Sequence, residues 1–456
     1  MPSINILAID GGGMMGVIPA RILSYLDGSV TNSSLKTMPK SLASIPDIFG
    51  YVAGTSTGAL LAVGLTVPPL SASQPLTGDG ALDLYQNNAS SIFPGNVSLF
   101  DVVTSSVTAF GNTSVICNES TKNKPQATGL ASVIASNYGA PSWAGCYYLI
   151  DGIVNEWLPS SVGGGVVYNS LEGLKTPALN NSSSFVCLSD TNTTLIIPSF
   201  NGNLGGQSVS TTAFPPVLTQ IDDQSVPWGP VIITNDTTVL NNAMGTNASA
   251  QNISVFQACL MTSACPMVLP PVPYDLQFGS MQSDPSGCNY FLDGGVWANN
   301  PTQAALLYVK QQNEIRNQNG EEPLTINCIV SIGCGMSSEP SGLDYATVEK
   351  MGGGITGIGG SGWLNYNGIN ALDATIASGA SLLTSTEMGA DFPNNYFRLD
   401  PVLPSGTAAP FWSNQSSTLA NWVSAADSLV ETWVGANNAD STWNQMITQL
   451  QKCMSS

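Results

Sequence analysis

The residues with the clearest chemical potential lie in the pentapeptide Gly54-Thr55-Ser56-Thr57-Gly58, a G-x-S-x-G sequence. Before it runs Ile48-Phe49-Gly50-Tyr51-Val52-Ala53, short and apolar, which predicts a buried strand. After it, Ala59 to Leu65 opens a helix that Pro68-Pro69 stops. Strand, tight turn and helix are the setting of a nucleophile elbow, which exposes a serine hydroxyl on a sharp turn. Gly54 and Gly58 let the backbone turn and keep side chains away from Ser56. The helix N-terminus beneath Ser56 supplies N–H groups and a dipole that favour a nearby negative charge. Chance occurrence in a chain with 46 glycines is the alternative, and the flanking pattern argues against it.

A serine nucleophile needs a base, and the chain contains no histidine. That absence excludes Ser-His-Asp and Cys-His catalysis, and His-ligated zinc or haem. Asp293 is the best available substitute. The short strand Tyr290-Phe291-Leu292 ends in Asp293-Gly294-Gly295, and sites in α/β sheets form at the carboxyl ends of strands. On position alone, an Asp that merely caps the turn fits equally well.

A third feature is Gly11-Gly12-Gly13, which follows the apolar run Ile4 to Ile9 and precedes a helix with Ile18, Ile22 and Leu26 on one face. Unhindered N–H groups of such a loop can point at one oxygen where charge develops. A plain glycine turn packing helix on strand fits as well. Read literally, Gly11 to Gly16 is also G-x-G-x-x-G, the dinucleotide fingerprint. That reading needs a second strand ending in an acid about 20 residues on. Asp27 has nearly that spacing but falls in or at the end of the helix, and the next strand ends in the elbow.

The composition narrows the field. The chain has 456 residues, 43% of them apolar and only 9% charged, with 11 Lys and Arg against 30 Asp and Glu. The net charge of −19 and the scattered cations leave no basic stripe for a nucleic-acid backbone. They also argue against strong attraction to anionic lipid. The uncharged window Ile48 to Leu70 is long enough to span a bilayer, but its glycines and prolines read as strand plus helix. The start, Met1-Pro2-Ser3-Ile4, shows no leader or anchor, so a cytoplasmic location is the default expectation and leaderless export stays open.

Further elements are expected along the chain. Helices are expected over Ala81 to Ser91, Ala127 to Tyr138, Ser254 to Ser263 and Thr302 to Gln311. Strands are expected over Thr194 to Phe200, Val231 to Thr234 and Thr325 to Ile332. Ser98 to Lys124 and Asn180 to Ser184 read as loops. Gly352 to Gly362 reads as a surface loop or a flap over the site. Cys328 and Cys334 read as buried thiols. In the tail, Leu419, Trp422, Val423 and Ala426, and then Met446, Ile447 and Leu450, recur at helical spacing as core-covering faces.

Together these motifs resemble the patatin-like phospholipase family. Its glycine-rich loop D-G-G-G-x-[RK]-G is similar to Asp10 to Gly16, its G-x-S-x-G elbow to Gly54 to Gly58, and its catalytic D-G-[GA] to Asp293-Gly294-Gly295. The continuation Ala298-Asn299-Asn300-Pro301 also matches, and three weaker blocks agree in order: Thr262-Ser263-Ala264, Ser331-Ile332-Gly333 and Tyr396-Phe397-Arg398-Leu399-Asp400. The resemblance implies a three-layer α/β/α patatin-like fold with a mostly parallel central sheet, related to the α/β hydrolases. It implies a catalytic domain over residues 1–400, with variable insertions over 71–250; the helical spacing of the tail adds a helical extension over 401–456 packed on it. The resemblance implies a Ser56 nucleophile with Asp293 as base. It also implies an oxyanion hole from the N–H groups of Gly11, Gly12, Gly13 and Thr57, with Asp10, Gly16, Gly54, Gly58, Gly294 and Gly295 in support. The family hydrolyses acyl esters of phospholipids and related lipids without metal or organic cofactor, at membrane or micelle surfaces. The same dyad also serves acyl transfer to an alcohol, and a catalytically silent binding protein on this fold is the third alternative. One departure is Met15, which stands where the family carries Arg or Lys.

Overall fold

The computed structural model describes residues 1–35, 37–92, 127–139, 185–201, 217–218, 229–236, 253–265, 272–274, 289–337, 379–404, 409, 411–435 and 441–454. Strand β1 (Ser3–Ile9) shows why the fold is layered. Successive side chains of a strand point to opposite faces. Leu7 and Ile9 enter one hydrophobic core, and Ile4, Ile6 and Ala8 enter another. A strand apolar on both sides must be covered on both sides, which is the situation of parallel strands in α/β proteins.

The sheet has nine strands. They are β1, β2 (Tyr51–Gly54), β3 (Thr194–Asn201), β4 (Val217–Leu218), β5 (Gly229–Thr234), β6 (Val272–Tyr274), β7 (Asn289–Asp293), β8 (Thr325–Ile332) and, after the separate short strand β9 (Met336–Ser337), β10 (Tyr396–Leu399). The order is β10-β8-β1-β2-β3-β5-β4. From β10 to β3 all pairs are parallel. Beyond β3 the sheet mixes, since β5 and β7 both run antiparallel to it. A second small sheet pairs β9 with β11 (Val402–Leu403). One face is covered by the helices Val17–Leu26, Thr57–Gly64, Gly78–Ile92 and Val255–Ser263. The other is covered by Thr302–Gln318, through Ala304, Ala305, Tyr308 and Val309. This is a mixed α/β fold with a mostly parallel central sheet.

The two C-terminal helices, Ser416–Val434 and Thr442–Met454, share the larger core. Leu419, Trp422, Ala426, Met446, Ile447 and Leu450 are all buried there, while Val423 is partly buried against them. The Asn5 amide in β1 donates to the carbonyls of both Ile48 and Leu450 at 3.0 Å, which ties the last helix to the first strand.

Two elements differ most from the sequence reading. The strand expected over Ile48 to Ala53 begins only at Tyr51, because Ile45–Ile48 forms one helical turn. Pro46 and Asp47 sit in that turn's first positions, where a missing N–H and a negative charge are favourable. The helix expected to end at Gln311 continues to Gln318. Its extra turns place Gln312 to accept the Tyr51 hydroxyl at 2.7 Å. The strand leading to Asp293 pairs antiparallel with β3. The loops read over 98–124 and 180–184 and the glycine-rich stretch 352–362 lie outside the described residues. Among the described residues no helix is long and apolar enough to cross a membrane.

Candidate active site

The elbow is built by close packing around glycine. A methyl group at Gly54 would lie 2.3 Å from the Gly58 carbonyl oxygen, and one at Gly58 would lie 2.1 Å from that of Ile9. Only glycine lets the strand exit, the helix entry and β1 approach this closely. The Thr55 N–H continues the β1–β2 ladder to the Ile9 carbonyl at 3.2 Å. The chain then reverses at Ser56, with φ 53° and ψ −122°, directly before the helix Thr57–Gly64. Ser56 and Asn32 are the non-glycine residues with positive φ among the described residues. Such a conformation costs about 1–3 kcal/mol and persists only where surrounding structure holds it. Ser56→Gly is expected to relieve it and, after the glycine entropy cost, to stabilise the fold by about 1 kcal/mol. Thermal unfolding checks this, and an unchanged or lower midpoint would mean that the turn stores no strain.

One buried threonine joins the elbow to the second motif. The Ser56 N–H donates to Thr262 Oγ1 at 3.0 Å, and that hydroxyl donates to the Pro198 carbonyl at 2.6 Å. The Gly294 N–H donates to the Thr262 carbonyl at 3.1 Å, and the Asp293 N–H to that of Ala264 at 2.9 Å. Thr262 thus fixes Ser56 and the Asp293 turn against the same helix end.

Strand register brings Asp293 there. β2 pairs with β3 only as far as Ile196, so the end of β3 projects past the carboxyl edge of the parallel strands. β7 returns along that projection and ends with Asp293 opposite Ser199. The Asp293 side chain is buried and accepts the Gly295 N–H at 2.6 Å. Gly294 packs flat on Pro198, where a methyl would meet the carbonyl oxygen at 2.3 Å.

The glycine loop closes the third side. Asp10 follows β1 and Gly11 faces the serine, since a methyl at Gly11 would lie 3.4 Å from Ser56 Cβ and 2.6 Å from Asn299 Oδ1. A methyl at Gly295 would lie 3.0 Å from Asp293 Oδ1 and 3.3 Å from the same Asn299 oxygen. Ser56, Gly11, Asn299, Gly295 and Asp293 therefore surround one small space, and Asn299 stands between the two motifs. Among the described residues, the N–H groups of Gly12, Gly13 and Thr57 have no acceptor. The Gly11 N–H, expected among the oxyanion donors, donates instead to the Asn299 carbonyl at 3.0 Å. Gly13 has φ 55° and lies against Phe411, whose carbonyl accepts the Met14 N–H at 2.7 Å. Gly16 leaves room for Thr57 and Tyr85, whose hydroxyls hydrogen-bond to each other.

A cation holds the start of this loop, but not the one that motif spacing suggests. Met15 is partly buried beside Gly12. Arg398, from β10, instead grips the Asp10 carboxylate at both oxygens, with Nη1–Oδ1 at 2.8 Å and Nη2–Oδ2 at 2.5 Å. Burial pushes the Asp10 carboxyl above its ordinary value, and the Arg398 charge and hydrogen bonds oppose that. Burial likewise works against the Arg398 charge, but Asp10 and Asp400 more than offset it and raise the guanidinium. A bidentate grip at these lengths is that of an ionised pair.

Thr262, Asn299 and Arg398 fall in family-like blocks of the sequence and Tyr85 in none, and no such block carries what each residue engages. No local signal marks these four, because each acts on a residue distant in the chain.

No protein-family model matches the chain. Over 91 residues the chain is 40% identical to patatin-like protein 2 of Oryza sativa subsp. indica, a stretch that is 20% of this chain and 21% of that protein. Over 365 residues it is 24% identical to patatin-like protein 3 of Arabidopsis thaliana, covering 76% of this chain and 63% of that protein. The crystal structure of VipD from Legionella pneumophila aligns with TM-score 0.34 and 12% identity, covering 99% of this chain and 67% of that chain. The curated proteins that this chain is similar to are patatin-like proteins, at up to 40% identity over a short region and 24% over most of its length.

Proposed function

We propose that the chain is a serine acyl hydrolase that cleaves fatty-acyl esters of phospholipids or related lipids at a membrane or micelle surface. The observation that carries this reading is the meeting of the strained Ser56 elbow, the glycine loop and the Asp293 turn around one space. The similarity to patatin-like proteins supports it.

In this reading Ser56 Oγ attacks the ester carbonyl carbon while Asp293 takes the hydroxyl proton. The carbonyl oxygen becomes an oxyanion that accepts from the Gly12, Gly13 and Thr57 N–H groups. Such a donor is worth about 3–4 kcal/mol in the best-measured case, which is another enzyme. Collapse expels the alcohol, which leaves with the proton from Asp293, and the acyl group stays on Ser56. Water then attacks the acyl-enzyme as Asp293 accepts its proton. The fatty acid departs and the proton returns to Ser56.

A serine-directed fluorophosphonate should label Ser56, and Ser56→Ala should abolish the label. Labelling that survives Ser56→Ala would sink the nucleophile assignment. Hydrolysis of p-nitrophenyl esters of several chain lengths, with and without alcohol acceptors, separates hydrolysis from transfer. The pH profile adds an independent check. With no histidine in the chain, the base is a carboxylate that must be ionised to accept a proton. kcat/KM should therefore rise through a single acidic ionisation and then stay level across neutral pH. A second limb near the ordinary imidazole value of about 6.5 would contradict the dyad.

A further inference from the structure

We infer that Arg398 is a positioning residue for the glycine loop, fixing through its grip on Asp10 the backbone in which Gly12 and Gly13 present their N–H groups. This rests on reading that loop as the oxyanion site.

Consecutive glycines have the most backbone freedom of any residues, so a loop built of them presents fixed donors only if it is pinned at its ends. The far end is pinned where the Met14 N–H meets the Phe411 carbonyl. The near end is pinned at Asp10. Its N–H donates to the Ile332 carbonyl at 3.0 Å, and its carboxylate accepts from Arg398 and from Ser381 Oγ at 3.1 Å. The planar guanidinium fork fixes the orientation of a carboxylate as well as its position, which a lysine ammonium does not.

Arg398 is itself held from several sides. It donates to Ser331 Oγ at 2.8 Å, Ser381 Oγ at 2.9 Å and Asp400 Oδ2 at 2.7 Å. Asp400 Oδ1 in turn accepts the Gly335 N–H at 2.9 Å. Strands β1, β8 and β10 and the helix Gly379–Asp391 are thereby locked together at the edge from which the loop leaves. The charge matters too. Asp10 is a buried carboxylate adjoining a loop that must accept a developing negative charge, and Arg398 offsets its field at that point.

The test is Arg398→Lys, assayed with a short-chain p-nitrophenyl ester. It keeps the charge and removes the fork. kcat is expected to fall about 100-fold, the loss typical of a disturbed oxyanion donor, with KM within about twofold. A trifluoromethyl ketone, which mimics the tetrahedral state on Ser56, should lose affinity by about the same factor as kcat/KM. A merely structural role would not make inhibitor affinity track kcat/KM. Added guanidinium should restore part of the turnover of Arg398→Ala. If Arg398→Lys does not fold, the pair Asp10→Asn/Arg398→Gln removes both charges of the grip, and the same two readouts apply. A folded variant that keeps wild-type kcat and inhibitor affinity overturns the inference and leaves the hydrolase reading standing. If the wild-type chain turns over no ester and takes no fluorophosphonate, the hydrolase reading falls and the inference falls with it.

Discussion

Asp293→Asn is expected to lower kcat by about 10⁴-fold or more while leaving the protein folded. The substitution nearly preserves shape. An asparagine oxygen still accepts the Gly295 N–H, a bond of 2.6 Å in the wild type. The backbone bond from residue 293 to the Ala264 carbonyl and the β7–β3 pairing are untouched. What disappears, on the proposed mechanism, is the proton acceptor. A neutral amide cannot take the Ser56 proton, so the nucleophile must attack as a hydroxyl. Removing the base of a better-known serine hydrolase costs about 10⁶-fold in kcat, and the residual rate comes from the oxyanion donors and binding alone. A loss of about 10⁴-fold corresponds to about 5.5 kcal/mol of transition-state stabilisation. It should appear in kcat, because the carboxylate meets the substrate's reacting centre only as the proton moves. Steady-state kinetics and a melting curve on the same preparation decide the matter. Near-full turnover by a folded Asp293→Asn would move the base to another carboxylate.

The legible and illegible parts of this protein divide along one physical line. Features set by neighbours in the chain were legible. The apolar run Thr325 to Ile332 is strand β8 end to end, and Ala127 to Tyr138 is a helix with the expected bounds. Ser254 was read as the first residue of its helix and is in fact its cap, accepting the Gln257 N–H at 3.2 Å. The G-x-S-x-G turn and the Asp293-Gly294-Gly295 turn fall where strand ends were expected, because glycine spacing and apolar runs are local signals. Features set by strand order and register were not legible. Nothing near Ser56 marks Thr262 as the acceptor of its N–H, since they are 206 residues apart. Nothing near Asp10 marks Arg398, which is 388 residues away. The motif also cannot say which glycine N–H groups remain open. That depends on Asn299, whose carbonyl engages Gly11 only because the Asp293 turn folds back along the projecting end of β3.

The second large effect concerns stability and lies at the longest of these separations. Asp427→Ala is expected to cost about 3–5 kcal/mol, the typical penalty for breaking a buried ion pair from one side. Arg21, in the helix that leaves the glycine loop, is buried to 3% exposure. Its Nε donates to Asp427 Oδ1 at 2.7 Å across 406 residues of sequence. Asp427 also accepts the Tyr25 hydroxyl at 2.9 Å and Ser34 Oγ at 3.0 Å. Burial works against the Arg21 charge, and Asp427, with smaller help from Tyr25 and Asp79, more than offsets it. Without Asp427 the guanidinium keeps, among the described residues, the carbonyls of Thr31 and Asn32, the Tyr25 ring at 5.0 Å and a more distant Asp79 carboxylate at 3.8 Å. Its charge is then left in a site built to hide it. The total stability of a domain is about 5–15 kcal/mol, so the loss should be plain in a denaturant titration. The control is Arg21→Met/Asp427→Leu, which removes both charges and should recover most of the loss, because apolar replacement of a whole buried pair is often neutral. If Asp427→Ala costs under 1 kcal/mol, water reaches the pair and the helix Ser416–Val434 is held mainly by its apolar face. If the cost appears and the paired variant recovers it, Ser416–Val434 is joined to the helix Val17–Leu26 by a desolvated charge as well as by the apolar core that Leu419, Trp422 and Val430 enter. Activity per folded molecule should then stay near wild type, because Asp427 contacts the first helix and not the loop that precedes it.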